Sequence, residues 1–378
     1  MLIVHPWIKV GGAALLILQL ARELTAAGHS VGIATCYVDT SLLESDYKDL
    51  RFILPWRWIS RLSERSLALI SLFGGPALLW LVVLRARDYD VIQPHNFPSL
   101  WVAWVASLIR RKPLVWQFNE PTPPPLPGWF TRIDSVLARR VSRICVLDGA
   151  AESTVRQLFR RGAVVVHPGT NFEFFSHVDE PAVREAASRY SIEGRRVLLS
   201  VGNIDPQKNQ VILVEVLDLL REELPDLTLV LVGQGPDQPV ISGRAIELGL
   251  GDRVVLAGAV TAPELRALYR LAFLVCFPAR HQTWGLTPLE ALAQRTVSLV
   301  SSEAGVSELL ESESIGLVAE PSPVPFASQV RLAAAEPERL HQMAERGFQY
   351  AATKATWAAF AQGIARCLEQ AVADPVPA

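Results

Sequence analysis

The densest potential chemistry in the chain lies in the run Phe277-Pro278-Ala279-Arg280-His281-Gln282-Thr283-Trp284-Gly285-Leu286-Thr287-Pro288-Leu289-Glu290. It follows an apolar stretch that reads as a strand and leads into a helical stretch. Gly285 allows close approach to the backbone, and Pro288 suits a first helical turn. Free amides at Gly285, Leu286 and Thr287, helped by the helix dipole, would form a seat for an anion such as a diphosphate. Glu290, about one turn on, can offer its carboxylate to a neighbouring ribose diol. A second strand-to-helix turn, Val201-Gly202-Asn203-Ile204-Asp205-Pro206-Gln207-Lys208-Asn209, leaves room above the strand at Gly202. There Lys208 can swing a point charge onto a phosphate. In the first half, Gly11 and Gly12 open a helix and let a ligand approach the backbone. His95, Asn96, Asn119 and Glu120 stand just after strand ends, where α/β proteins collect ligand contacts. Each of these admits a plainer reading alone: an ordinary turn with a surface glutamate, a solvated lysine, a loop histidine, a lone Gly-Gly pair.

Positioning these residues requires alternating strands and helices, and both halves show that pattern. Strands are predicted at 2–5, 31–35, 91–93, 114–118, 144–147 and 164–166, then at 197–201, 227–232, 254–256, 274–277, 297–300 and 316–318. In the first helix Leu16, Leu20 and Leu24 form an inward stripe with Ala13, Ile17 and Ala21. Gln19, Arg22, Glu23 and Thr25 are expected to face outward, and Gly28 to end the helix. The chain of 378 residues is too long for one ordinary core. The turn His167-Pro168-Gly169-Thr170-Asn171 is the expected joint, giving domains of 1–168 and 169–350 and a C-terminal helical segment of 351–378. The proline tract at 121–127 reads as a stiff loop rather than a linker.

A net charge of -2 gives no basic field overall, so nucleic acid is not an expected partner. Cys36, Cys145, Cys276 and Cys367 lack metal-ligand spacing and sit in apolar stretches, so buried thiols in a reducing cytoplasm are expected. The N-terminus lacks the features of a secretory signal. Residues 66–84 carry no charge and are flanked by Arg57, Arg61, Arg65, Arg85 and Arg87. Gly74, Gly75 and Pro76 break that run, which favours two short helices over a membrane span. With Trp56 and Trp58 nearby, peripheral membrane contact through 56–87 is an expectation.

The order and spacing of these pieces resemble the retaining GT-B glycosyltransferases of family 4, over nearly the full chain. The likeness is carried by Gly11-Gly12, by Asp90-Val91-Ile92 with His95, and by Val166-His167-Pro168-Gly169-Thr170-Asn171. It continues through Val201-Gly202 to Lys208, Leu231-Val232-Gly233-Gln234-Gly235-Pro236, Gly258-Ala259-Val260 and Gly285-Leu286-Thr287-Pro288-Leu289-Glu290-Ala291. The resemblance implies an α/β fold of two facing doubly wound Rossmann-like domains with an interdomain cleft, the C-terminal helix around Trp357 crossing back to the first. It implies that Lys208 and the amides of Gly285, Leu286 and Thr287 hold a donor diphosphate, that Glu290 binds the ribose, and that Gly258, Ala259 and Val260 lie along the base. Three positions depart from the family pattern: Gln282 replaces a glutamate, Asn203 an arginine, and Asn119 a histidine. The implied activity is metal-independent transfer of a hexosyl group, mannosyl by analogy, from a nucleoside diphosphate sugar to a glycan or lipid-linked acceptor, with retention and no cofactor. The alternatives are a catalytically weak sugar-nucleotide-binding or membrane scaffold protein, or a nucleotide-sugar epimerase.

Overall fold

The computed structural model describes residues 1–9, 11–39, 47–54, 75–96, 98–119 and 128–374. Val10, Trp56, Trp58, Arg57, Arg61, Arg65, residues 66–74, Glu120 and the proline tract lie outside the described residues. The chain forms two compact units, Met1–Pro168 with Trp357–Ala378, and Gly169–Thr356.

In the first unit the strands are β1 (Leu2–Val4), β2 (Trp7–Ile8), β3 (Gly32–Ala34), β4 (Tyr37–Val38), β5 (Phe52–Ile53), β6 (Ile92–Pro94), β7 (Val115–Gln117), β8 (Arg143–Val146) and β9 (Val164–Val165). They pair in parallel as β5-β3-β1-β6 and β7-β8-β9, with β2-β4 a separate pair. Single bridges from Ile92 to Leu114 and from His95 to Gln117 align β6 with β7. The order reverses direction between β1 and β6, the point where a doubly wound sheet opens a crevice at its carboxyl edge. Parallel strands buried on both faces favour unbroken apolar runs, which is why Leu2, Ile3 and Val4 are all fully buried.

The helix Gly12–Ala26 buries Leu16, Leu20 and Leu24. Gln19 is also buried, against the expectation that it faces outward, because its amide donates to the Tyr47 hydroxyl at 2.9 Å. The helix Trp357–Ala373 packs on Gly12–Ala26 and buries Trp357, Phe360, Ile364 and Leu368. Residues Gly75–Arg85 form one helix. Its Leu78, Leu81 and Val82 are buried in the domain core beside Leu100 and Ala103, while its Trp80 is 52% exposed. No helix among the described residues is long and apolar enough to cross a membrane. All four cysteines are buried and none is in a disulfide.

The second unit holds β10 (Arg196–Val201), β11 (Leu227–Val232), β12 (Val254–Gly258), β13 (Ala272–Phe277), β14 (Ser298–Ser301) and β15 (Leu317–Ala319), all parallel, in the order β12-β11-β10-β13-β14-β15. One face of this sheet, with Leu198, Leu229, Leu231 and Leu274, packs on the helices Ile212–Leu219 and Pro323–Ala335. The other, with Val197, Leu199, Val230 and Val275, packs on Glu180–Arg189 and Ala262–Leu271. The switch point falls between β10 and β13.

Candidate active site

The loops that leave β10 and β13 at this switch point carry the two richest motifs of the sequence. The β10 loop turns tightly: the Lys208 amide donates to both the backbone oxygen and Oδ1 of Asp205, each at 3.0 Å. Asn209 follows with φ of 56°, and its buried amide donates to the carbonyls of Pro278 and Pro321, both at 3.2 Å. That side chain fastens the lysine turn to the β13 loop. Lys208 then reaches across, and its Nζ donates to Gln282 Oε1 at 2.6 Å. The ammonium also lies 5.3 Å from the centre of the Phe277 ring, within cation–π range. Burial lowers the Lys208 pKa, while the Asp205 charge raises it.

Gln282 is held by its own backbone. Its N–H donates to Glu303 O at 3.2 Å and its C=O accepts from Gly305 at 2.9 Å. A lysine can only donate, so the amide oxygen must face Nζ, and the NH2 of Gln282 points away as a donor. Beside it His281 sits at φ 49°, its N–H donating to Glu303 Oε2 at 3.3 Å.

Gly285 caps the helix Leu286–Leu292 in extended conformation, and the Thr287 hydroxyl donates to Val201 O at 3.4 Å. The first amides of that helix have no acceptor within it. Glu290, partly exposed, accepts from the Tyr269 hydroxyl at 2.6 Å. Burial pushes the Glu290 carboxyl up to about 7, against the hydrogen bond from Tyr269, which lowers it. Tyr269 itself is fully buried on the helix Ala262–Leu271 and lies edge-on to Phe175 at 6.0 Å.

Three neighbouring loops close this edge. Gly202, with φ of 141°, donates to Val232 O at 3.0 Å, and Gly233 donates to Gly258 O at 2.8 Å. Asn203 is exposed, with its carbonyl held by Gln210 at 2.9 Å. Gly258 has φ of 68° and turns the chain toward exposed Ala259 and half-buried Val260.

Lys208, Gln282, Glu290, Gly202, Asn203, Gly258, Ala259, Val260, Gly285, Leu286 and Thr287 thus share the carboxyl edge of one sheet. Gly11, Gly12, His95 and Asn119 stand on the matching edge of the first unit. There Gly11 and Gly12 are exposed at the start of their helix. His95 is 1% exposed, and burial followed by the nearby His5 drives its pKa down to about 3, so its ring is neutral. Neither ring nitrogen has a partner. Asn119 Oδ1 accepts from Gln117 at 2.9 Å. Sequence reading missed Tyr269, Asn209 and Glu303. The available signal for Tyr269 was physical: a tyrosine on the inward stripe of a helix needs a partner for its hydroxyl. Among the described residues no three His, Cys, Asp or Glu side chains converge as a metal site requires.

Two family models match the chain in succession, Glycosyltransferase Family 4 over residues 10–174 and Glycosyl transferases group 1 over residues 184–350. The chain belongs to the family 4, group 1 glycosyltransferases. This glycosyltransferase is 26% identical over 315 residues to alpha-D-kanosaminyltransferase of Streptomyces kanamyceticus, a match that covers 77% of the chain and 81% of the relative. It is 25% identical over an alignment of 393 residues to D-inositol 3-phosphate glycosyltransferase of Corynebacterium glutamicum strain R, covering 96% and 93%. Among solved structures, Anabaena HepE in complex with UDP matches with a TM-score of 0.83 at 20% identity, covering 97% of this chain and 99% of that one. The fold of the glycosyltransferase is therefore of the GT-B class, built from Rossmann-like domains.

Proposed function

We propose that this glycosyltransferase moves a hexosyl group from a nucleoside diphosphate sugar to a hydroxyl of a glycan or lipid-linked acceptor, with retention and with neither metal nor cofactor. The observation that carries this reading is the contact of Lys208 with Gln282 across the switch point of the second unit. One ammonium hydrogen is committed to Gln282, which leaves two to meet phosphate oxygens. With the amides of Leu286 and Thr287, this supplies fixed positive polarity where negative charge grows on a departing diphosphate. The NH2 of Gln282 would meet a hydroxyl of the transferred sugar, and Glu290 the ribose diol. Support for such a donor also comes from HepE, solved with UDP and with UDP-glucose. Retention rests on the family likeness alone. The deciding experiment is a panel of UDP-, GDP-, ADP- and TDP-hexoses, GDP-mannose included, read by thermal shift and by product formation. The true donor raises Tm in proportion to RT ln(1 + [L]/Kd). If no member stabilises the protein and none yields product, the reading is wrong.

Glu290 makes the donor site pH-sensitive. A diol donates to the ionised carboxylate, so nucleotide affinity should rise with pH up to about 7 and then level off. Below that point the loss should approach about tenfold per pH unit. Stability of the empty protein should move the other way. A folded pKa near 7 against an ordinary 4.5 means that the folded state holds an extra proton in this window, and stability falls as pH rises through it. Calorimetric titration with UDP between pH 6 and 8 checks this, with Glu290→Gln expected to flatten the profile. A flat wild-type profile would remove the ribose role of Glu290.

The amide at position 282 favours a second reading, a donor-binding protein with weakened turnover. If hydrogen bonding to a sugar hydroxyl is all this position does, Gln282→Ala should lose about 5- to 150-fold in kcat/KM, the cost of one unpaired buried hydroxyl. Gln282→Glu should stay within about tenfold of wild type. A strong acceleration by glutamate would instead identify the wild type as the weakened catalyst.

A further inference from the structure

The helix Gly128–Ala138 carries apolar side chains on both sides: Leu137 and Ala138 pack on the domain core, and others face outward. Its Asp134 is 4% exposed and accepts from the Trp101 indole at 2.8 Å. Its Trp129, Ile133 and Val136 face outward, Trp129 at 56% and Val136 at 57% exposure. These three, at spacings of four and three, form one stripe of the helix. Contiguous exposed apolar side chains, unlike single scattered ones, mark interaction surfaces. Exposed Arg132 lies on the same stripe, and exposed Arg139 and Arg140 follow the helix directly. Arg161 holds the C-terminal end in place by donating to the carbonyls of Ala138, Arg139 and Val141 at 2.9 to 3.0 Å. The neighbouring helix Ser99–Arg110 adds exposed Leu108 and Ile109, followed by Arg110, Arg111 and Lys112. The described acids nearby do not oppose this charge: Asp134 is turned inward, Asp148 caps the helix Gly149–Phe159, and Glu152 pairs with Arg156.

The charge of the whole chain conceals a division. The first unit carries 20 Lys and Arg against 14 Asp and Glu, and the second carries 16 against 24. We propose that the outward face of the helix Gly128–Ala138, with its arginine rim, docks on a membrane surface bearing anionic headgroups. The indole and two aliphatic side chains enter the interface while the guanidinium groups stay at headgroup depth. The positive charge favours an anionic lipid surface over this same face of a second copy, which would bring the same sign. This surface is independent of the donor site and goes beyond the proposed transfer reaction.

The test is flotation of the full chain with vesicles of phosphatidylcholine containing about 30 mol% phosphatidylglycerol, against phosphatidylcholine alone, at about 50 mM and about 500 mM salt. Wild type is expected to float with the anionic vesicles at low salt and to be released at high salt. The triple variant Arg132→Glu, Arg139→Glu and Arg140→Glu should bind at least about 100-fold more weakly. Trp129→Ala with Val136→Ser should also weaken binding, and indole fluorescence should shift to the blue only in the protein that retains Trp129. Both variants change exposed positions, so Tm and the thermal shift with nucleotide should be unchanged. Wild type remaining unbound at low salt, or both variants floating like wild type, overturns the proposal. So does a dimer in sedimentation that Trp129→Ala dissociates, because the face would then belong to a second copy.

Discussion

Replacing Lys208 with alanine is expected to lower kcat/KM by about 10- to 150-fold, with both KM and kcat affected. The side chain sits where a charge-assisted contact to phosphate is worth about 1.5–3 kcal/mol. Because that contact would exist in the bound donor and grow stronger as the diphosphate leaves, it serves ground state and transition state together. Alanine also strands Gln282 Oε1, whose ammonium partner at 2.6 Å is lost. A modest fall in Tm should therefore accompany the kinetic loss. Arginine should not rescue: the ammonium approaches Gln282 and the Phe277 ring as a compact point charge, and a planar fork does not fit that geometry. Steady-state kinetics with the donor identified by the panel provide the check. Unchanged kinetics in a folded Lys208→Ala protein would remove the diphosphate role from this site.

Gly233→Ala should be the most destabilising of the single changes considered. A Cβ at this position would stand 1.9 Å from the carbonyl oxygen of Gly202, a backbone atom that cannot swing aside. The residue also holds φ at 128°, outside the range an L side chain tolerates. Either the β10 loop moves or the β11 strand end does, and both carry site residues. A cost of at least about 3 kcal/mol is expected. For a unit of this size that corresponds to a Tm fall of roughly 6–12 °C. Differential scanning calorimetry measures it, and donor affinity should fall in parallel because Gly202 and Lys208 share the displaced loop. Wild-type stability in the variant would show that these loops are not packed as described. Gly235 stands in the same relation to Ile204 O, at 2.0 Å, so the spacing of two glycines in Val232-Gly233-Gln234-Gly235 reflects two successive backbone contacts.

Much of the fold was readable because parallel strands buried on both faces become unbroken Val, Leu and Ile runs. All six predicted strands of the second unit are present, with ends shifted by a residue or two. The short β2, β4 and β5 escaped because two residues cannot display a period. The turn motifs were readable from their glycines and from Lys208 and Glu290. Their contacts were not, because these are made across the sheet. Lys208 meets Gln282 only because the order β11-β10-β13 brings together segments 74 residues apart in sequence. Tyr269 meets Glu290 because a helix on one face of the sheet supplies a hydroxyl to a helix starting at its edge. Gln19 went against the expectation that it faces outward because it is buried with a polar partner, Tyr47, that hydropathy cannot reveal. His95 was singled out as a candidate site residue just after a strand end, and its enclosed, neutral state comes from burial that its position in the sequence does not display.

The helix Trp357–Ala373 carries a consequence for how the chain must be made. It completes the core of the first unit, yet it is encoded after the whole of the second. On a ribosome, residues 1–168 emerge early but lack the surface that covers the helix Gly12–Ala26, while Gly169–Thr356 emerges with every strand of its own sheet. Domains fold as units during synthesis. The second-emerging domain therefore reaches its final structure before the first-emerging one, whose apolar helix face waits for residues synthesised after the second. During that interval the face of the helix Gly12–Ala26 that packs on Trp357–Ala373 stays uncovered.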